Sequence, residues 1–139
     1  MKVFAFDRDD AIDVNPHPRK SPMVPLEWVR YLAHETEHEV WATGNQALKG
    51  EADIPGKDEA LEMLGEGASS IPPMRRERVL MLSKIFPDAD DYIVVDDVDL
   101  SHLKGWDHYF PWDFVEVVQQ REIEIGLSED LLRLGQASD

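Results

Sequence analysis

Val3-Phe4-Ala5-Phe6-Asp7-Arg8-Asp9-Asp10 decides how this chain is read. An unbroken apolar run so near the start reads as a strand buried on both faces, as in the middle of a parallel sheet where helices cover each side. The run stops at acids. In open α/β sheets ligands bind outside the carboxyl ends of the central strands, so Asp7 to Asp10 mark the edge where chemistry is expected. Asp7 and Asp9 lie two apart and are expected to face one crevice, with Arg8 pointing away. Two carboxylates brought together without a neutralising partner repel, so the pair asks for a cation. Hard oxygen ligands favour Mg²⁺, which usually completes its octahedron with waters and a substrate phosphate. A turn or a helix cap is the plainer use of such acids, and the rest of the chain has to decide between the two.

The chain has 139 residues, enough for one domain with a real core, and the expectation is a single unit with a C-terminal tail from about residue 127. No secretory or transit segment is read at its start, and no apolar run has membrane-spanning length, so a cytoplasmic protein is expected. Without cysteine there are no disulfides, thiolate metal sites or cysteine nucleophiles. Asp and Glu number 29 against 14 Lys and Arg, a formal net charge of -15. Such a surface repels phosphate backbones and anionic lipid, which disfavours nucleic acid and membranes as partners. The acids are spread through every segment, as on proteins from a salt-rich cytoplasm, where salt screens self-repulsion.

After Asp10, residues 15 to 22 form a proline-rich loop, a flap beside the site whose His17, Arg19 and Lys20 are within reach of an anion or are simply solvated. Pro25 suits the first turn of a helix over Leu26 to Glu35, with Trp28, Val29 and Leu32 as its packing stripe. Glu39 to Ala42 is a second buried strand, followed by Thr43-Gly44-Asn45, where Gly44 permits close backbone approach. Strand, helix, strand is a right-handed βαβ unit, which sets Asp7 and Thr43 on one sheet edge. Between Gln46 and Ile71 the chain offers one helix, Lys57 to Leu64, and no strand. Ser70 to Pro73 opens a helix running to Phe86, whose stripe of Val79, Leu82, Ile85 and Phe86 continues back to Arg75 and Arg78, with Arg76 on the flank. A guanidinium at that helix start favours an anion. Tyr92 to Val95 is a further strand ending in Asp96-Asp97, and so repeats the opening design. A last strand around His108, Tyr109 and Phe110, a helix over Phe114 to Ile125 and a short leucine stripe in the tail complete the chain.

With these pieces in order, the chain resembles the haloacid dehalogenase superfamily from Val3 to about Phe110. The resemblance lies in a strand ending in Asp-x-Asp (Asp7, Asp9), a strand ending in Thr43, a basic residue at the start of the next helix (Arg75, then Arg78, in preference to Lys84), and a strand ending in Asp96-Asp97. It departs from the family pattern at Asp10-Ala11-Ile12, where Thr or Val is usual. The family's cap insertions are absent. The resemblance implies a three-layer, Rossmann-like open parallel sheet without a cap domain.

For chemistry the resemblance implies a Mg²⁺-dependent phosphohydrolase acting on a phosphomonoester. Asp7 would be the nucleophile that becomes an aspartyl phosphate. Asp9 would act first as general acid and then as base. Thr43 and Arg75, with Arg78 as the other candidate, would bind the phosphoryl oxygens. Mg²⁺ would be held by the Asp7 carboxylate, the Asp9 carbonyl and Asp97, with Asp96 in support. The partner would be a phosphorylated substrate of unnamed identity, and self-association is left open. The competing expectation is a non-catalytic module of the same fold that binds metal and phosphate for interaction or regulation.

Overall fold

The structure, a computed structural model, describes residues 1–14, 22–65 and 74–134. The opening apolar run is a strand, β1 (Lys2–Phe6), and it lies inside a four-stranded parallel sheet. On one side it pairs with β4 (Glu39–Ala42), Phe6 opposite Ala42. On the other it pairs with β5 (Asp91–Val95), Phe6 opposite Val95. An edge strand, β6 (Asp107–Tyr109), follows β5. A separate parallel pair, β2 (Ile12–Asp13) and β3 (Val24–Pro25), stands beside this sheet. The sequence offered no sign of so short a ladder.

Why β1 is apolar at every position follows from what covers it. Phe4 and Phe6 point into one core with Trp28, Val29 and Leu32 of helix α1 (Leu26–His34) and Phe114, Val115 and Val118 of helix α5 (Pro111–Gln119). Val3 and Ala5 point into the other, with Trp41, Ala60 of helix α3 (Lys57–Leu64) and Val79, Met81 and Leu82 of helix α4 (Arg75–Ile85). Residues 3 to 6 are wholly buried, as alternation between two covered faces demands. This is the α/β class expected, a parallel sheet between helical layers that is compatible with a Rossmann-like arrangement. No helix among the described residues is long and apolar enough to cross a membrane.

Several boundaries differ from expectation for local reasons. Pro25 caps α1 in an extended conformation and belongs to β3, so it stands just before the helix rather than in its first turn. A further helix, α2 (Leu48–Ala52), follows Asn45. The helix expected from Ser70 starts at Arg75, where Met74 is the extended cap and the Glu77 carboxylate accepts the Met74 N–H, one half of a capping box; residues 66–73 lie outside the described residues, as does the proposed flap with His17, Arg19 and Lys20. α5 starts three residues earlier than expected, because Pro111 has the φ of a first helical residue, and its cap is Gln120, before Arg121 turns to a φ of 60°. The tail forms α6 (Glu129–Leu134), docked by the Trp28 indole N–H on the Leu131 carbonyl and by Gln119 on the Leu132 carbonyl; residues 135–139 lie outside the described residues.

At the amino edge of the sheet His38 ties two segments together. Its Nδ1 accepts the Lys2 N–H at 3.0 Å, so the ring proton sits on Nε2, 3.1 Å from the Ile125 carbonyl. Burial, the larger effect, lowers its pKa below the ordinary 6.5 despite the bond to Ile125. The unfolded chain therefore binds the extra proton more readily. His38 contributes stability in full above pH 6.5 and loses it as pH falls below that value. In urea titrations, His38→Gln should show a flatter loss of stability than the parent between about pH 6.5 and 5; an unchanged slope would assign the pH dependence elsewhere.

Candidate metal and phosphate site

The ladder bonds of the sheet continue one residue past three strand ends. The Asp7 N–H donates to the Val95 carbonyl (3.0 Å), the Thr43 N–H to the Phe6 carbonyl (3.0 Å) and the Asp96 N–H to the Tyr109 carbonyl (3.2 Å). Residues 7, 43 and 96 are thus fixed side by side at the carboxyl edge, although 89 positions separate the first from the last. Directly after Asp7 the chain turns: Ala11 and Ile12 both donate to the Arg8 carbonyl, and Asp10 takes a left-handed φ of 58°.

Three carboxylates meet there. One oxygen each from Asp7, Asp96 and Asp97 lies within 4.8 Å of the others. Asp7 is 1 % exposed and Asp96 0 %, and both Asp7 oxygens and Oδ2 of Asp96 have no hydrogen-bond partner among the described residues. Nor has the buried hydroxyl of Thr43. Buried polar atoms are ordinarily paired, because each one left alone costs about 1–3 kcal/mol. Burial, then repulsion from Asp96, pushes the Asp7 carboxyl up to about 7. Burial also raises Asp96, although Arg75 and the Val98 N–H pull against it. An all-oxygen, electron-rich cluster of this kind fits a small hard divalent ion.

The arginines divide the work. Arg75, at the start of α4, donates to Asp96 Oδ1 at 3.1 Å and lies 3.9 Å from Asp7 Oδ2. Arg78, one turn on, donates instead to the carbonyls of Thr43 (3.3 Å) and Gly44 (3.0 Å), and so holds the turn that carries the Thr43 hydroxyl. Arg76 is exposed. Gly44 packs against the nucleophile candidate so closely that a Cβ there would stand 1.7 Å from Asp7 Oδ1 and 2.8 Å from its Cγ. The close approach expected of Gly44 is therefore made to the Asp7 side chain.

Asp9 is placed differently from the other predicted residues. Its side chain is 59 % exposed and lies outside the three-carboxylate cluster. Asn45 donates to both of its oxygens (3.3 and 3.1 Å) and Arg8 to Oδ1 (2.8 Å), and these bonds, Asn45 foremost, lower its pKa. Arg8, expected to point away from the crevice, bonds Asp9 and grips Glu51 of α2 with its other nitrogens at 2.6 and 2.9 Å. Glu51 had no local signal in the sequence; only the packing of α2 brings it to Arg8. His108, read as part of a structural strand, donates from Nε2 to the Asp96 carbonyl at 3.0 Å and so buttresses the acidic turn from the β6 side.

The site brings together Asp7, Thr43, Arg75, Asp96 and Asp97, with Arg78 and Asp9 beside them. No family model, no curated protein and no solved structure matches the chain.

Proposed function

We propose that this protein is a phosphohydrolase of the haloacid dehalogenase type without a cap domain, which uses Mg²⁺ to hydrolyse a phosphomonoester through an aspartyl phosphate. The observation that carries the reading is the group of buried oxygens on Asp7, Asp96 and Thr43, without hydrogen-bond partners among the described residues and next to a guanidinium, at one sheet edge. Asp7, Asp96 and Asp97 would hold the ion, with the Asp9 carbonyl. When bound, Mg²⁺ offsets the repulsion between the Asp7 carboxylate and the phosphate dianion.

The chain's own groups then have defined tasks. Thr43 and Arg75 hold phosphoryl oxygens, and Arg78 keeps the Thr43 turn in place. An Asp7 oxygen attacks phosphorus as the ester P–O bond breaks, and the leaving oxygen takes a proton from the Asp9 carboxyl. In the second step Asp9, now a carboxylate, takes a proton from water as the water oxygen attacks phosphorus. The bond to Asp7 breaks and inorganic phosphate leaves. The bonds that favour ionised Asp9 suit this second step directly.

A non-catalytic module that binds metal and phosphate is the second reading, and the exposed position of Asp9 outside the cluster favours it. Hydrolysis of para-nitrophenyl phosphate separates the two. We expect turnover with Mg²⁺ and none after chelation, together with Mg²⁺-dependent stabilisation of about 2.7 kcal/mol at a hundred times Kd. Stabilisation by Mg²⁺ and phosphate without hydrolysis of any ester, at low or high salt, would establish the module. Neither binding nor turnover would end both readings.

A further inference from the structure

Asp9 is held by a second set of residues whose arrangement has a specific use. The amide of Asn45 is itself fixed, since its Oδ1 accepts the Ala47 N–H at 2.9 Å, and this aims Nδ2 at Asp9. On the other side, the Arg8 guanidinium spans Asp9 and Glu51, and the Glu51 carbonyl in turn accepts Arg30 Nε of α1 at 2.8 Å. Among these bonds, Asp9 Oδ1 receives two donors, one from each side, while Oδ2 receives one. Oδ2 therefore keeps an open lone pair, and the carboxylate cannot rotate without breaking bonds on both flanks. Two residues from separate stretches, one braced by a loop turn and the other by two helices, are more than a solvated acid at a rim needs.

We infer that Arg8, anchored on Glu51, and Asn45 are positioning residues that hold the Asp9 carboxylate with Oδ2 open to a water, so that it serves as base in the hydrolysis of the phosphorylated Asp7. The inference rests on the phosphohydrolase reading above and extends it to residues that the resemblance does not include. The attack of Asp7 on an ester with a good leaving group needs no proton from Asp9, so only the second chemical step depends on this brace.

The test is the kinetics of para-nitrophenyl phosphate hydrolysis by the full chain with Mg²⁺, for Asn45→Ser and Arg8→Lys beside the parent. Serine can still accept the Ala47 N–H but is too short to reach Asp9, and lysine keeps the charge but loses the planar fork that grips both Glu51 oxygens while a third nitrogen donates to Asp9. We expect kcat to fall about a hundredfold, the lower end of what general acid–base catalysis contributes, while kcat/KM stays within about twofold because it reports phosphorylation alone. Intact-mass spectra during turnover should show a larger fraction of chain carrying one phosphoryl group. If kcat and kcat/KM fall together, the residues are structural; if neither moves, the brace does nothing. Both results overturn the inference while leaving the phosphohydrolase reading in place. A parent that hydrolyses no ester removes that reading, and this inference with it.

Discussion

Asp7→Asn is expected to abolish ester hydrolysis, by on the order of a thousandfold or more, while making the cation-free protein more stable. The two effects share one cause. Asp7 is buried beside Asp96, and its carboxyl is pushed up to about 7 from an ordinary 3.8, by burial first and by Asp96 second. An acid raised in this way binds its proton more tightly in the folded state. The contribution of Asp7 to stability is therefore fully present below about pH 4 and is lost as pH rises toward 7 and beyond. Asparagine removes the charge that is responsible. Above pH 7 without divalent ions the variant should gain about 2 kcal/mol, the relief of an uncompensated buried charge less the cost of the new amide's unpaired N–H groups. Melting curves with a chelator across pH 4 to 8 check this: the parent should lose melting temperature over that range more steeply than the variant. Added Mg²⁺ should stabilise the parent and leave the variant nearly unmoved. A variant that melts lower than the parent at every pH would mean that Asp7 is not the strained group.

Gly44→Ala is expected to cost about a hundredfold or more in turnover with the fold retained, because ångström-scale displacement of a reacting group carries losses of that size. The added methyl would stand 1.7 Å from Asp7 Oδ1, well inside contact distance, and 3.3 Å from the Asp7 Cα. The backbone position is tight but tolerable, so the side chain must give way. Asp7 can only rotate away from Gly44, and any such move changes its geometry against Asp96 and Asp97. The accompanying loss of stability should be about 1–3 kcal/mol, the usual range for overpacking. Turnover, urea titration and Mg²⁺-dependent melting, measured together, separate the outcomes. Near-normal hydrolysis by Gly44→Ala would show that Asp7 has room to spare and is not held for attack.

The α/β class, the βαβ order and the carboxyl-edge position of Asp7, Thr43 and Asp96 were legible in the residues themselves. A strand covered on both faces must be apolar throughout, and residues 3–6, 40–42 and 93–95 are; a right-handed crossover then leaves their ends on one edge. Helix limits were less legible at Pro25 and Phe114, because one proline is compatible with a cap, a first turn or a strand end, and the surrounding pairing selects among them. Side-chain direction at the site was beyond local reading altogether. The pattern Asp7-Arg8-Asp9 suggested two acids sharing a crevice, yet the turn at Asp10 and the pull of Glu51 and Asn45 send Asp9 to the rim. Likewise Arg75 and Arg78 share one helical stripe and differ in target only because one faces Asp96 and the other the Thr43 turn.

Period and polarity along the chain thus determined which residues reach the edge, since burial of whole strand faces is a property of local sequence. Which oxygens meet a cation and which are held for a proton was decided only by the tertiary structure, since those choices depend on partners as distant as Glu51, Asn45 and Asp96, and a hydrogen bond is made or lost within less than 1 Å.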